Sequence, residues 1–396
     1  MTVPGARGGV RLAELLAALS LATDLGRGQP AEHTLRQCLI ALRLAERLGM
    51  TAADRVVVYY ASLVAGAGCH VDAYEQAKWF GDDTAVKTGR RRADFATAAV
   101  APLSMMRRLG AGRPAGQRAR LALAFLGDGR QAAGSMPTNH WLAADGLAAR
   151  LGLGQRVRDC VEQTFERWDG RGAPRGRRGE EILLAARLVG LADVTGTCHR
   201  AAGGPSTAAA VDAARQRSGT QFDPALVDRF AADAGPVLDG LDDGATWQAV
   251  IDAEPGAGIR LSEADFDSAL EAIADFTDVK SPYTSGHSRG VADLAAEAAR
   301  IAGLEPQAAA RLRRAGLVHD LGRLGVPNTI WDKKGRLSHA EAECVRTHPC
   351  LTERTLAASP ALAPLAAIAV LHHERLDGSG YPRGLAGRAL PVAGRL

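Results

Sequence analysis

The six cysteines of this 396-residue chain, Cys38, Cys69, Cys160, Cys198, Cys344 and Cys350, form no CxxC pair and no paired zinc-ligand spacing. That absence excludes a thiolate zinc site or a redox dithiol of the usual kind, and leaves buried thiols in a reducing cytosol as the expectation. No stretch approaches the ~20 apolar residues that span a bilayer. Arg7 and Arg11 lead into an apolar stretch from Leu12 to Ala22, but Glu14 interrupts it and no clean cleavage site follows. The segment therefore reads as the first helix of a repeat rather than as a signal peptide. A cytoplasmic protein with no membrane contact is expected. Alternation of β-branched residues is nearly absent, which argues against sheets. The net charge is only +4 and charged residues make up 23% of the chain, so the charge balance does not point to nucleic acid. One short basic run, Lys87-Thr88-Gly89-Arg90-Arg91-Arg92, reads as a solvated loop or helix face. A hydrophobic content of 46% over this length supports two or three domains with real cores.

What the chain does contain is a duplication. Phe165-Glu166-Arg167-Trp168-Asp169-Gly170-Arg171-Gly172-Ala173-Pro174-Arg175-Gly176 matches His373-Glu374-Arg375-Leu376-Asp377-Gly378-Ser379-Gly380-Tyr381-Pro382-Arg383-Gly384 at an offset of 208, with eight of twelve positions identical. Further upstream the offset is 254. Thr23-Asp24 falls on Thr277-Asp278, His33 on His287, Gly49 on Gly303, and Leu63-Val64 on Leu317-Val318. The first copy therefore carries about 46 extra residues between Gly66 and His140, the basic run among them. The copies run from residue 10 to 235 and from 263 to 396. A Gly/Asp/Pro-rich linker with a short helix is expected over 236–262.

The periodicity is helical. Leu270, Ile273, Ala274 and Thr277 fit one helix face, and Val291, Leu294, Ala295, Ala298, Ala299 and Ala302 fit another. Gly303 and Pro306 punctuate the chain before a third helix from about Gln307 to His319. An all-α fold of two tandem helical domains is expected.

Six of the ten histidines lie between His287 and His373. Phosphodiester hydrolysis must bring a poor nucleophile, water, to a phosphorus shielded by anionic oxygens. Two divalent ions that share a bridging hydroxide and clamp the phosphate oxygens solve that problem, and they need several imidazoles and a bridging carboxylate. Mixed nitrogen and oxygen ligands suit Fe, Mn, Zn or Co. His319-Asp320 supplies an imidazole and a carboxylate at a helix end, and His372-His373 point apart and can address different ions. His287 and His348 each open an expected helix. His339 reads as an ordinary surface residue.

In this order the motifs resemble those of the HD-GYP domain, the HD-superfamily phosphohydrolases that degrade cyclic di-GMP. The matching segments are Gly286-His287-Ser288, Leu317-Val318-His319-Asp320-Leu321-Gly322, Thr347-His348-Pro349 and His372-His373-Glu374-Arg375-Leu376-Asp377-Gly378-Ser379-Gly380-Tyr381-Pro382. The resemblance covers about residues 270–396. It implies that His287, His319, Asp320, His348, His372 and His373 are ligands of two divalent metal ions, Fe, Mn or another transition metal. It also implies that the substrate is cyclic di-GMP or another nucleotide, and that Gly380, Tyr381 and Pro382 shape the substrate site. Where members usually carry Lys to meet phosphate, this chain has Arg323, which keeps the charge with different geometry. Where some members place a Glu for a third metal, it has Tyr283.

The family's last ligand is an Asp in an Ala-Asp motif. The first copy has it at Ala192-Asp193, and the second copy's counterpart falls at position 401, so the second domain is expected to be truncated at its C-terminus. The first copy places Ala65-Gly66 against His319-Asp320 and Thr164-Phe165 against His372-His373. It keeps His33, His140 and Asp193, too few for a two-metal site, and reads as a degenerate domain with a structural, dimerising or regulatory role. A homodimer is expected. An alternative reading is a regulator that uses the domains to sense a ligand. DNA enters that reading only if a LuxR-type helix-turn-helix lies beyond residue 396. A purely helical scaffold explains the first copy but gives no reason for six ligand-type residues in order in the second.

Overall fold

The computed structural model describes residues 9–84, 87, 109–110, 114–200 and 204–396. Every regular element among them is helical, and extended pairing is limited to the isolated bridges Arg11 with Arg260, Ser218 with Phe222 and Asp377 with Ala386. Apart from Lys87, the basic run lies outside the described residues. Lys87 itself is buried, with its ammonium 3.0 Å from Asp83 Oδ2, so at this position the expected solvated face is not found.

Two compact units divide the chain. One comprises Thr23–Gly256 with Pro327–Thr329. At its centre lies the His33–Arg47 helix, buried along twelve of its fifteen residues and packed on the Ala52–Val64 and Leu184–His199 helices. Its polar residues tolerate burial because each finds a partner. Arg36, for example, donates from Nε to Leu241 O at 2.9 Å and from Nη1 to Ala31 O at 2.6 Å. The paired tyrosines Tyr59 and Tyr60 are fully buried. Their hydroxyls donate to Val250 O at 3.1 Å and to Glu254 Oε1 at 2.5 Å. The stretch read as a linker does carry a helix, Thr246–Asp252, but Leu241, Val250 and Ile251 are buried, so it closes this unit's core rather than trailing in solvent.

The other unit comprises the chain up to Ala22, Ala257–Val326 and Ile330–Leu396. Residues 9–22 group here because Val10–Leu12 pair with Ile259–Leu261 through Leu12 N to Ile259 O (2.8 Å) and Leu261 N to Val10 O (2.9 Å). The Glu263–Asp278, His287–Ile301 and Pro306–Val318 helices form its frame, with Ala363–Ala369 and His348–Leu356 closing it. Leu270, Ile273, Ala274 and Thr277 are buried as expected. The face of the next helix is different. Ser288, Ala292, Ala295 and Ala299 are buried, while Leu294 is 73% exposed and Ala302 is exposed. Close approach explains the shift: a Cβ on Gly316 would lie 2.7 Å from Ala292 Cα, so the seam admits only small side chains. The helix ends at Gly303 (φ 71°), where Leu304 N caps Ala299 O at 3.0 Å.

All six cysteines are free, but only Cys38 and Cys160 are buried, and Cys350 is exposed. The expectation of buried thiols throughout is corrected accordingly. No single helix among the described residues is long and apolar enough to cross a membrane. A bent pair, Ala52–His70 with Ala73–Phe80, passes by length and composition alone, and residues 57–64 of it are buried in their unit's core.

Candidate metal centre

Helix ends deliver the centre. The Pro306–Val318 helix stops at Val318 and hands His319 and Asp320 to the 3-10 turn Leu321–Gly325. His287 and His348 open their helices, and His372-His373 follow Ala363–Ala369. The rings converge. Centroids lie 5.3 Å apart for His287 and His319, 4.8 Å for His319 and His372, 5.1 Å for His348 and His372, and 4.2 Å for His372 and His373.

Asp320 sits in the middle, and its two oxygens face different histidines. Oδ2 lies 3.4 Å from His287 Nε2 and 3.3 Å from His319 Nε2. Oδ1 lies 3.4 Å from His348 Nε2 and 3.7 Å from His372 Nε2. Two groups have geometry suited to an ion, His287 with His319 and Asp320, and His348 with His372 and His373.

Three of the histidines are oriented by carbonyls of the helix that precedes or carries them. His319 Nδ1 bonds Gly316 O at 2.7 Å, His348 Nδ1 bonds Val345 O at 2.6 Å, and His372 Nδ1 bonds Ala369 O at 2.6 Å. A carbonyl only accepts, so each Nδ1 carries a proton, and whenever the ring is neutral its Nε2 turns a lone pair inward. His348 Nε2 and His372 Nε2 then face each other at 3.0 Å. Two lone pairs at that distance repel unless a cation lies among them, so the donor set fits a metal. Burial pushes the His348, His372 and His373 rings down to about 4, which keeps them neutral and able to coordinate. For Asp320, burial works to raise the carboxyl, but His319, His287 and Arg323 outweigh it and hold it well below the usual carboxylate value. His319 is raised, because Asp320 overcomes the effect of burial.

Arg323 lies at the centre, donating from Nη1 to Asp320 Oδ2 at 2.8 Å, with its guanidinium 3.9 Å from the centroid of the Trp331 ring. Tyr381 stacks on His373, with centroids 4.7 Å apart and planes at 24°. Gly380 permits that loop: a Cβ there would lie 2.4 Å from Arg375 N and 2.6 Å from Glu374 Cα. The Tyr381-Pro382 peptide is cis. Tyr283 is exposed, as is His339.

Sequence reasoning missed the supports. Lys280 is buried and donates to Arg323 O (3.1 Å), Leu324 O (2.9 Å) and Val326 O, pinning the turn that carries Arg323. Thr352 Oγ1 accepts from Gly322 N at 2.8 Å and donates to His319 O at 2.9 Å. Asp278 accepts from Ser288 N (2.9 Å) and Ser288 Oγ (2.7 Å), fixing the start of the His287 helix. Only Asp278 carried a sequence signal, through its match to Asp24.

The aligned positions of the other unit repeat this framing. Asp24 accepts from Thr34 N (2.9 Å) and Thr34 Oγ1 (2.6 Å). Glu166 Oε1 accepts from Arg175 N at 2.7 Å, as Glu374 Oε1 does from Arg383 N at 2.6 Å. A Cβ on Gly68 would lie 1.9 Å from His140 O, and one on Gly322 would lie 2.1 Å from His348 O. The Ala173-Pro174 peptide is cis like its counterpart.

Residues 271–396 match the family model described as HD domain. The chain is 31% identical over 390 residues to 3'3'-cGAMP-specific phosphodiesterase 3 of Vibrio cholerae serotype O1, covering 97% of this chain and 84% of that protein. It is 35% identical over 127 residues to a cyclic di-GMP phosphodiesterase of Thermotoga maritima, covering 32% of this chain and 34% of that protein. The crystal structure of the Vibrio cholerae cyclic GMP-AMP-specific phosphodiesterase V-cGAP3 superposes with a TM-score of 0.66 at 26% identity, covering 98% of this chain and 89% of that one. The chain belongs to the HD-domain phosphodiesterase family, and it is an HD-type metal-dependent phosphohydrolase.

Proposed function

We propose that the second copy hydrolyses a phosphodiester bond of a cyclic dinucleotide, cyclic di-GMP or cyclic GMP-AMP, at a two-metal centre. The first copy is then a degenerate duplicate. The observation that carries this reading is the Asp320 carboxylate, with one oxygen toward His287 and His319 and the other toward His348 and His372. His287, His319 and Asp320 would hold one ion, and His348, His372, His373 and Asp320 the other. Divalent ions there supply Lewis-acid charge to the phosphate oxygens and lower the pKa of an attacking water. The chain's own residues do the rest. The three carbonyl-locked imidazoles keep their Nε2 lone pairs directed inward. Arg323 holds Asp320 in register and adds positive charge beside the phosphate. Tyr381, stacked on His373, offers a ring edge to a nucleotide base.

The relatives' names motivate the substrate class, since the Vibrio cholerae protein is named for 3'3'-cGAMP and the Thermotoga maritima protein for cyclic di-GMP. The test is metal content together with hydrolysis of both dinucleotides with Mn(II) or Fe(II). Two ions per chain, and turnover abolished with metal binding in Asp320→Asn, are expected. Full turnover with a single bound ion would overturn the two-metal reading, and metal binding without cleavage of either dinucleotide would overturn the substrate class.

A further inference from the structure

The Thr23–Gly256 unit contains a cavity of about 450 Å³. Small-molecule sites span roughly 300–1,000 Å³. The cavity lies where the metal centre of that copy would be: Ala65, Gly66, His140, Thr164, Phe165 and Asp193 line it.

The centre there is rebuilt around an arginine. Gly66 stands at the position of Asp320, and a Cβ on it would lie 2.4 Å from Arg27 Nη1. The missing side chain makes room for the guanidinium. Arg27 donates from Nη2 to Asp193 Oδ1 at 3.4 Å and from Nη1 to Thr34 Oγ1 at 3.3 Å, and lies 3.9 Å from Asp24 Oδ1. His33 Nε2 is 2.9 Å from the same Asp193 oxygen. His140 Nε2 lies 3.0 Å from Ala65 O, so it donates there and has no lone pair to offer on that nitrogen. A covalently attached cation thus occupies the ground that ions would hold in the other copy.

The walls suit an anion that carries a flat ring. Six cationic side chains, Arg27, Lys87, Arg167, Arg171, Arg187 and Arg217, line it with four carboxylates. Asp24, Asp83 and Asp169 pair with Arg27, Lys87 and Arg167 from outside the lining, which leaves Arg171, Arg187 and Arg217 as the anion-facing group. Phe165 and Trp168 add aromatic surface. The Arg187 guanidinium lies 5.6 Å from the Trp168 ring centroid and donates from Nη1 to Asp223 at 2.6 Å, while its buried Nε has no hydrogen-bond partner among the described residues. Gln76 Oε1 and Glu166 Oε2 are buried acceptors in the same position. Orphaned buried donors and acceptors are costly, and a ligand that meets them removes the cost. An acceptor for Arg187, donors for Gln76 and Glu166, net negative charge and a stacking ring together describe a nucleotide, with its phosphate on the arginines and an amino-bearing base on the aromatics.

We propose that this cavity binds a purine nucleotide without metal and without hydrolysing it. The proposal does not depend on turnover by the second copy. The test uses the full chain carrying His372→Ala and His373→Ala, with EDTA present, so that metal-supported binding in the second copy is silenced. Equilibrium dialysis with labelled cyclic di-GMP, GMP and inorganic phosphate distinguishes a dinucleotide, a mononucleotide and a bare anion. One nucleotide per chain is expected. Gly190→Leu should weaken it by about tenfold or more. Gly190 lines the cavity from within a helix and has only ordinary contact space around an added Cβ (Thr164 O at 3.5 Å), so the variant fills the cavity and is expected to keep its thermal midpoint. Arg187→Lys, which keeps the charge but loses Nε, should also weaken binding. No nucleotide bound at ~1 mM, binding unchanged by Gly190→Leu, or phosphate bound as tightly as the nucleotides would each overturn the proposal.

Discussion

The two halves hold similar backbones around opposite solutions to one electrostatic problem. Around Asp320, four imidazoles converge on a carboxylate with no fixed cation except Arg323. Around Asp193, the guanidinium of Arg27 already neutralises the carboxylate, and His33 Nε2 lies 2.9 Å from the same oxygen. The framing is retained in both: an Asp that caps the helix opened by His33 or His287, a Glu that receives the loop amide nine residues on, and a glycine pressed on a histidine carbonyl. The difference is carried by a few side chains. With Gly66 at the equivalent of Asp320 and Arg27 beside it, the first copy holds an ion pair where the second gathers ligand-type side chains on a similar frame.

The largest expected effect breaks the second half. Asp320→Asn should lower hydrolysis by at least about 10²-fold and release metal, measured by turnover and by metal analysis of the same sample. Arg27→Ala tests the first half, because it leaves the buried Asp24 and the partly buried Asp193 without their shared guanidinium. Breaking a buried pair typically costs ~3–5 kcal/mol, so urea denaturation should show a loss of that order for this unit. The pH dependence sharpens it. Burial would raise the Asp193 carboxyl, but His33 and Arg27 outweigh burial and hold it below its ordinary 3.8. A folded-state value below the unfolded one gives stability that is present above 3.8 and lost as pH falls through the folded value. In Arg27→Ala that acid-sensitive arm should flatten, as read from denaturation midpoints between neutral pH and pH 3.

Lys280→Met should follow. It removes the ammonium from three carbonyls of the Arg323 turn, and the loss of such a support should weaken metal affinity by roughly 10–100-fold, seen by titration with Mn(II). Gly380→Ala should cost ~1–3 kcal/mol and lift Tyr381 from His373, seen as a lower thermal midpoint. Leu294→Ala should change stability by less than about 0.5 kcal/mol. A larger loss would restore the helix face that the periodicity suggested and the packing did not adopt.

The sequence made the centre legible through the order of His287, His319-Asp320, His348 and His372-His373, and the structure brings all six together. It misjudged Leu294, because apolar periodicity cannot tell a seam of alanines from a solvent face that carries leucine. It expected a linker with a short helix over 236–262; the helix is there, Thr246–Asp252, but Val250 and Ile251 are buried in the core. Lys280 and Trp331 were invisible because their roles depend on backbone carbonyls and ring faces brought from distant segments.

By itself, then, the sequence determined the all-helical class, the ligand-type residues and their order, since these follow from periodicity and residue chemistry. Only the tertiary structure decided which Asp320 oxygen faces which histidines, that three Nδ1 atoms are locked on carbonyls, and that Arg27 stands in the space left by Gly66. Those facts concern distances of a few ångströms between groups far apart in the chain, and packing sets them rather than any local pattern.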